Sequence, residues 1–209
     1  IRTLAARYEN HPVGKIADND SLVFYNYRPD RSRELTLALL GLHDFGRKLR
    51  PPANLSFVTF TSYYLPAGSE KRVSVAFPSE KIEQTLGKVI SDNKMTQFRI
   101  AESEKYPHIS YFFNCGFEDI LPGEERVVIE SPKVASYAEK PEMKALEVSK
   151  KLIEIIKDKK FDFILVNFAN VDSVGHSGDL VAATKAVSVV DECISHLWQA
   201  VSKIDGTLI

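Results

Sequence analysis

The chain has 209 residues, 44% of them hydrophobic and 26% charged, with a net charge of −1. That composition allows one large globular domain or two small ones. The near-zero charge excludes a long-range field that would draw in nucleic acid or an anionic membrane. No apolar run reaches the length of a membrane span, and no secretory signal opens the chain. Cys115 and Cys193 lie far apart and fit no metal spacing, which points to a reduced, cytoplasmic setting.

Residues 21–27, Ser-Leu-Val-Phe-Tyr-Asn-Tyr, are rich in β-branched and aromatic side chains and predict a strand. Arg28-Pro29-Asp30-Arg31 breaks it, and a helix is expected over 31–42, with Leu35, Leu39 and Leu42 at helical spacing. Residues 56–64 predict a second strand, and 65–72, with Pro66, Gly68 and several charges, a connector. From Val73 onward the pattern becomes regular strand-helix alternation. Strands are expected at 73–77, 96–101 and 109–114, with a helix over 79–93 on Ile82, Leu86 and Ile90. Pro122-Gly123 and Ser131-Pro132 mark loops. A helix is expected over 141–157, opened by Pro141, with Leu152, Ile153 and Ile156 facing inward.

The run 161–166 reads as a buried strand and 180–201 as an amphipathic helix. That helix repeats Leu180, Ala183, Val187, Val190, Ile194, Leu197 and Val201, with Trp198 at the inner side or edge. Strand-helix alternation predicts parallel βαβ units. The expected organisation is a smaller α/β piece over 1–76 and a second domain over 77–209. Residue 1 is Ile, and residues 206–209, Gly-Thr-Leu-Ile, read as the opening of a strand, so the chain is expected to be an internal fragment.

Between the strand and the last helix stands Asn167-Phe168-Ala169-Asn170-Val171-Asp172-Ser173-Val174-Gly175-His176-Ser177-Gly178. Asp172 and His176 are four residues apart, on an expected loop at the C-terminal end of a strand, where ligand and metal sites gather in open α/β sheets. A carboxylate oxygen and a neutral imidazole nitrogen suit a divalent ion such as Mn2+ or Zn2+. The same residues also suit turn and capping roles. Arg28 and Arg31, at a strand-to-helix transition, can converge on one phosphate or carboxylate through forked hydrogen bonds, with Asp30 orienting one of them. The competing reading is a solvated Arg-Asp pair on a surface turn. Lys105 follows the strand over 96–101 and can neutralise a transferring phosphoryl group. Its competing reading is a charged loop in which Glu102 and Glu104 pair with it. His108 reads as structural, and Cys115, before Gly116, as a tight-turn residue.

Five segments occur in a fixed order: Asn26-Tyr27-Arg28-Pro29-Asp30-Arg31, Ala101-Glu102-Ser103-Glu104-Lys105-Tyr106-Pro107-His108, Pro122-Gly123-Glu124-Glu125-Arg126, Ser131-Pro132-Lys133-Val134-Ala135, and the Asp172-His176 segment. Together they resemble the cofactor-independent (2,3-bisphosphoglycerate-independent) phosphoglycerate mutases of the alkaline phosphatase superfamily. The resemblance implies an alkaline-phosphatase-like parallel sheet flanked by helices, preceded by the end of a smaller α/β transferase domain and a hinge over 65–75. It implies interconversion of 3-phosphoglycerate and 2-phosphoglycerate, in glycolysis and gluconeogenesis, through a phosphoserine. It implies two divalent ions, Mn2+ by expectation, and no bisphosphoglycerate. Carried over residue by residue, Arg28 and Arg31 hold substrate phosphate and carboxylate oxygens. Lys105 binds substrate and stabilises the transferring phosphoryl group, and Asp172 and His176 bind one ion. The serine nucleophile and the remaining ligands are expected outside this stretch, so the fragment alone is expected to be inactive. A monomer without nucleic-acid or membrane partners is expected. The alternatives are another phosphomutase or phosphatase of the superfamily, or a non-catalytic remnant that binds anions or a partner. Val171 stands where the family usually has Pro, Ser173 where it often has Met, and Cys115 where it usually has Gly.

Overall fold

The computed structural model describes residues 7–8, 11–12, 14–43, 46, 50–63, 65–78, 80 and 82–209, excepting the side chains of 7, 8, 11, 12, 30, 31 and 70. The chain divides into two units, Ile1–Glu80 and Lys81–Ile209.

In the first unit, β1 (Arg7–Tyr8) and β2 (His11–Pro12) form an antiparallel pair. A separate parallel sheet has the order β3 (Ser21–Phe24), β4 (Ser56–Thr59), β5 (Ser74–Val75). The helix α1 (Pro29–Leu39) starts right after Arg28, earlier than its leucine spacing suggests, because Pro29 fits the first turn, where its missing N–H has no partner to lose. Its inner side carries Ser32 and Thr36, followed by Leu40 at the cap, whereas Leu35 and Leu42 are exposed. Leu40 packs with Phe57 and Val73, and that cluster sets the phase of the helix.

The second unit carries a parallel sheet in the order β7 (Glu124–Ile129), β6 (Gln97–Glu102), β8 (Phe163–Asn167). The central strand β6 is buried along its whole length. In register, Ala101 lies opposite Val128 on one side and Asn167 on the other, so the C-terminal ends of all three strands share one edge. Phe98, Ile100, Val148, Leu152, Ile156, Leu197 and Val201 form the main core between the sheet, α4 (Ala145–Asp158) and α6 (Leu180–Ser202). Each such side chain contributes roughly 1.5–3 kcal/mol relative to exposure.

Several readings of the sequence are corrected here. The helix expected over 79–93 is only α2 (Leu86–Asp92), because Thr85 is extended and caps it, accepting from Lys88 N at 3.3 Å. The strand expected over 109–114 is the short helix α3 (Tyr106–Ile109) followed by turns, with Phe112 N bonded to Pro107 O and Asn114 N to Ser110 O. Strand β7 was not expected at all, since its first half, Glu-Glu-Arg, carries charge. Finally, α6 buries Ala182, Ala186, Cys193, Leu197 and Ala200, while Leu180, Val187, Ile194 and Trp198 are exposed. Small side chains bring α6 close to α4 and α5 (Asn170–Gly175), and they outweigh the larger residues in setting its face. Residues 206–209 form no strand.

Under α2 lies a buried polar seam. Arg99 is fully buried; its guanidinium donates to Gln97 Oε1, Ile109 O and Asn114 Oδ1 and faces the Phe113 ring. Gly87 is the reason it fits: a Cβ there would stand 2.2 Å from Arg99 Nη2 and 3.0 Å from Asn114 Oδ1. With Arg99 pinned by several hydrogen bonds, Gly87→Ala is expected to destabilise the unit by about 1–3 kcal/mol, as overpacking does. Denaturant titration checks this, and an unchanged midpoint would contradict it.

Candidate functional site

The chemistry-bearing residues of the second unit gather at the C-terminal edge of its sheet. Directly after β6, residues Ser103–Lys105 make a single tight turn that ends on the buried Lys105. Directly after β8, the chain enters α5, so Asp172 and His176 stand on a helical turn rather than on the expected loop. Their four-residue spacing therefore places both on one helix face. Asn170 and Val174, both fully buried, hold the inner side of α5.

Three side chains meet there. Lys105 Nζ donates to Asp172 Oδ2 across 67 residues of sequence. The other carboxylate oxygen, Asp172 Oδ1, lies 3.4 Å from His176 Nε2. Exposure is graded: the Lys105 side chain is 11% exposed, that of Asp172 57% and that of His176 80%. The aliphatic stem of Lys105 is thus packed while its ammonium is held at a fixed point. The hydrogen bond from Lys105 holds the Asp172 carboxyl below the usual carboxylate range; partial burial opposes this, and the charges of Lys105, His176 and His108 add to it. The carboxylate therefore stays ionised, as a metal or cation partner requires.

Glu102 and Glu104 do not take Lys105. Glu102 is fully buried and accepts from Lys144 N at 3.0 Å, and Glu104 accepts from Tyr137 Oη at 3.2 Å. The charged-loop reading of Lys105 is replaced by a pair that joins two strand ends. From the sequence Glu102 figured only as a possible partner for Lys105. Its only signal is an acidic residue closing a strand that is otherwise buried.

Arg28 lies in the first unit, extended, just before α1; its N–H donates to Asn26 Oδ1 and its carbonyl accepts from Ser32 Oγ. Arg31 is on the first turns of α1, and its side chain, like that of Asp30, lies outside the described residues. Cys115 has φ +51 and Gly116 φ +100, consistent with the expected tight turn.

The pair Asp172–His176 fits two donors of a divalent ion: one anionic oxygen, one imidazole nitrogen, adjacent and open to solvent. Among the described residues there is no group of three or more His, Cys, Asp or Glu residues that could hold a metal ion. A groove of about 270 Å3 beside α4, lined by Leu146, Ile153, Lys157 and His196 among others, includes none of the three site residues. No helix of the described residues is long and apolar enough to cross a membrane.

Comparison with known proteins bears on this edge. The family model described as "Metalloenzyme superfamily" matches residues 14–209. The chain is 45% identical over 206 residues to a 2,3-bisphosphoglycerate-independent phosphoglycerate mutase of Methanococcoides burtonii, covering 98% of this chain and 39% of that protein. It is 46% identical over 200 residues to the protein of the same name from Clostridium acetobutylicum, covering 96% of this chain and 38% of that one. Among solved structures it is similar to one described as "Crystal structures of Leishmania mexicana phosphoglycerate mutase at low cobalt concentration". There the TM-score is 0.67 at 27% identity, over 96% of this chain and 36% of that one. The chain thus spans about two-fifths of the length of the curated relatives it matches. Its parallel sheets flanked by helices are those of an alkaline-phosphatase-like α/β fold.

Proposed function

The chain belongs to the metalloenzyme superfamily, and on that premise we propose that the full-length protein interconverts 3-phosphoglycerate and 2-phosphoglycerate through a phosphoserine, without bisphosphoglycerate. The observation that carries the reading is the cluster at the sheet edge: a largely buried ammonium, Lys105, fixed on a carboxylate, Asp172, whose second oxygen faces His176. The similarity to phosphoglycerate mutases over nearly the whole chain supports the substrate assignment.

In this reading each group has a physical task. Asp172 and His176 supply an oxygen and a nitrogen to one of two divalent ions, Mn2+ by preference. Such an ion, when bound, supplies Lewis acidity that neutralises phosphoryl oxygens and activates a hydroxyl nucleophile. Lys105 lies against the same carboxylate, so its ammonium adds positive charge where equatorial phosphoryl oxygens gather in the transition state. Arg28 and Arg31 take substrate phosphate and carboxylate oxygens, holding the glycerate while the phosphoryl group is on serine. The serine and the other metal ligands lie in the part of the protein outside this chain. The first unit serves as the end of a substrate-holding transferase domain, the second as part of the phosphatase domain, with the boundary near Ala76. Residues 65–75 act as hinge. The protein works as a cytoplasmic monomer.

The test is direct. Full-length protein given 3-phosphoglycerate and Mn2+, with no bisphosphoglycerate, is expected to form 2-phosphoglycerate to equilibrium. Release of inorganic phosphate in its place would make the protein a phosphatase and overturn the reading. Asp172→Asn is expected to weaken Mn2+ binding by roughly tenfold or more, since loss of a charged ligand costs at least as much as an outer partner does. Calorimetric titration of the full-length variant checks this, and unchanged affinity would count against Asp172 as a ligand.

A further inference from the structure

We infer that Glu102 is a positioning residue for the phosphoryl-transfer site, acting through the turn before α4 to hold α5 opposite Lys105; the inference rests on the functional reading just given. Glu102 closes β6, three residues before Lys105, and its side chain is 0% exposed. It reaches neither Lys105 nor α5. Its carboxylate accepts instead from the backbone N–H of Lys144, at 3.0 Å.

Lys144 ends a turn whose own backbone bonds, Met143 N–H to Lys140 O and Ala145 N–H to Glu142 O, leave the Lys144 N–H to be met by Glu102. Met143, just before it, has φ +44, a left-handed conformation that side chains with a Cβ avoid unless the surroundings impose it. Two contacts of this turn grip α5. Pro141 O accepts from Asn170 Nδ2 at 2.8 Å, and Asn170 is the fully buried first residue of α5. The Met143 side chain packs in one buried cluster with Ala169, Val174, Ala182 and Ala186. The contacts therefore close a ring. Glu102 holds the turn, the turn holds α5, α5 carries Asp172, and Asp172 meets Lys105, which the chain ties back to Glu102. A buried carboxyl is a costly way to satisfy one N–H, and burial does push this carboxyl up, against the Lys144 bond and the Ser131 hydroxyl that pull it down. Its placement is explained if the Lys105–Asp172 geometry depends on that turn.

The experiment compares Glu102→Ala and Glu102→Gln in the full-length protein, by hydrogen exchange of the segment spanning α5 and by steady-state kinetics. Glu102→Ala is expected to speed exchange of the Ser173 and His176 amides about tenfold, the loss of one net hydrogen bond, although Glu102 touches neither. It is expected to lower kcat about tenfold with KM nearly unchanged. Gln retains an oxygen for Lys144 N, so Glu102→Gln is expected to stay within about twofold on both readouts. Where Glu102→Ala does not fold, Glu102→Asp, which withdraws the carboxyl by one methylene, is expected to show the same changes in milder form. Unchanged α5 exchange in the Ala or Asp variant overturns the inference, and so does a Gln variant as impaired as Ala. If the unmodified protein turns over no 3-phosphoglycerate, the functional reading fails, while the exchange comparison still decides whether Glu102 holds α5.

Discussion

Lys105→Met in the full-length protein is expected to lower kcat for 3-phosphoglycerate about 10²–10³-fold, the effect of removing one preorganised electrostatic donor from a transferring group. Met keeps the apolar stem in the space that the buried Lys105 side chain fills, so the loss is one of charge rather than of packing. The Asp172 carboxyl loses the hydrogen bond that most depresses its pKa and rises toward its ordinary value. It remains a carboxylate at neutral pH, so Mn2+ binding is expected to persist. Steady-state kinetics together with metal titration check both halves. A kcat within about threefold of the parent would remove Lys105 from the reaction. Loss of metal in the variant would recast it as a support for the Asp172–His176 pair.

Glu124→Ala is expected to cost the second unit about 3–5 kcal/mol, the penalty of leaving buried charge without its partner. Glu124 is the carboxylate shared by two guanidiniums: Arg126 Nε donates to its Oε1, and Arg99 Nε lies 3.3 Å from the same oxygen. Arg99 has no exposed side-chain surface and Arg126 very little. Burial works against the charge on Arg99; Glu124 partly offsets this, and Arg126 adds to the cost. Removing the carboxylate therefore leaves two like charges facing each other in a buried seam. Thermal unfolding is expected to fall by on the order of 10 °C. Glu124→Gln retains an acceptor and is expected to lose less. A Glu124→Ala variant with unaltered unfolding would show that water reaches the seam and screens it.

This seam also explains why parts of the fold were hard to read from the sequence. Strand β7 opens with Glu124, Glu125 and Arg126, which look like a surface loop until Arg99 on the neighbouring strand is known. The aromatic run after Ile109 has strong β propensity, yet Asn114 and the Ile109 carbonyl are taken by Arg99, and the segment coils into turns around it. In both cases a long-range ion and hydrogen-bond network overrides local preference. The parallel strand-helix alternation and the start of α6, which Asp179 caps by accepting from Ala182 N, were legible because such signals are local.

The site was legible to a similar degree. The residue types of Asp172 and His176 singled the pair out, but they were expected on a loop, and it is the helical turn of α5 that sets both on one face. The residues that make this helix, Asn170 and Val174, are weak helix formers and succeed only by burial and by the Pro141 contact. Nothing near Lys105 in sequence announces Asp172, and a competing carboxylate on either side of Ser103 pointed elsewhere. Glu102 was read only as a partner for Lys105 and Met143 not at all, because what they contact lies in a turn some forty residues downstream of β6.

The measurement closest to the central claim is anomalous diffraction from crystals of the full-length protein grown with Mn2+. A peak is predicted roughly 2.0–2.3 Å from both an Asp172 carboxylate oxygen and His176 Nε2, with Lys105 Nζ still within hydrogen-bond reach of Asp172. Mn2+ peaks elsewhere, with Asp172 and His176 free of metal, would contradict the assignment of this sheet edge as the phosphoryl-transfer centre.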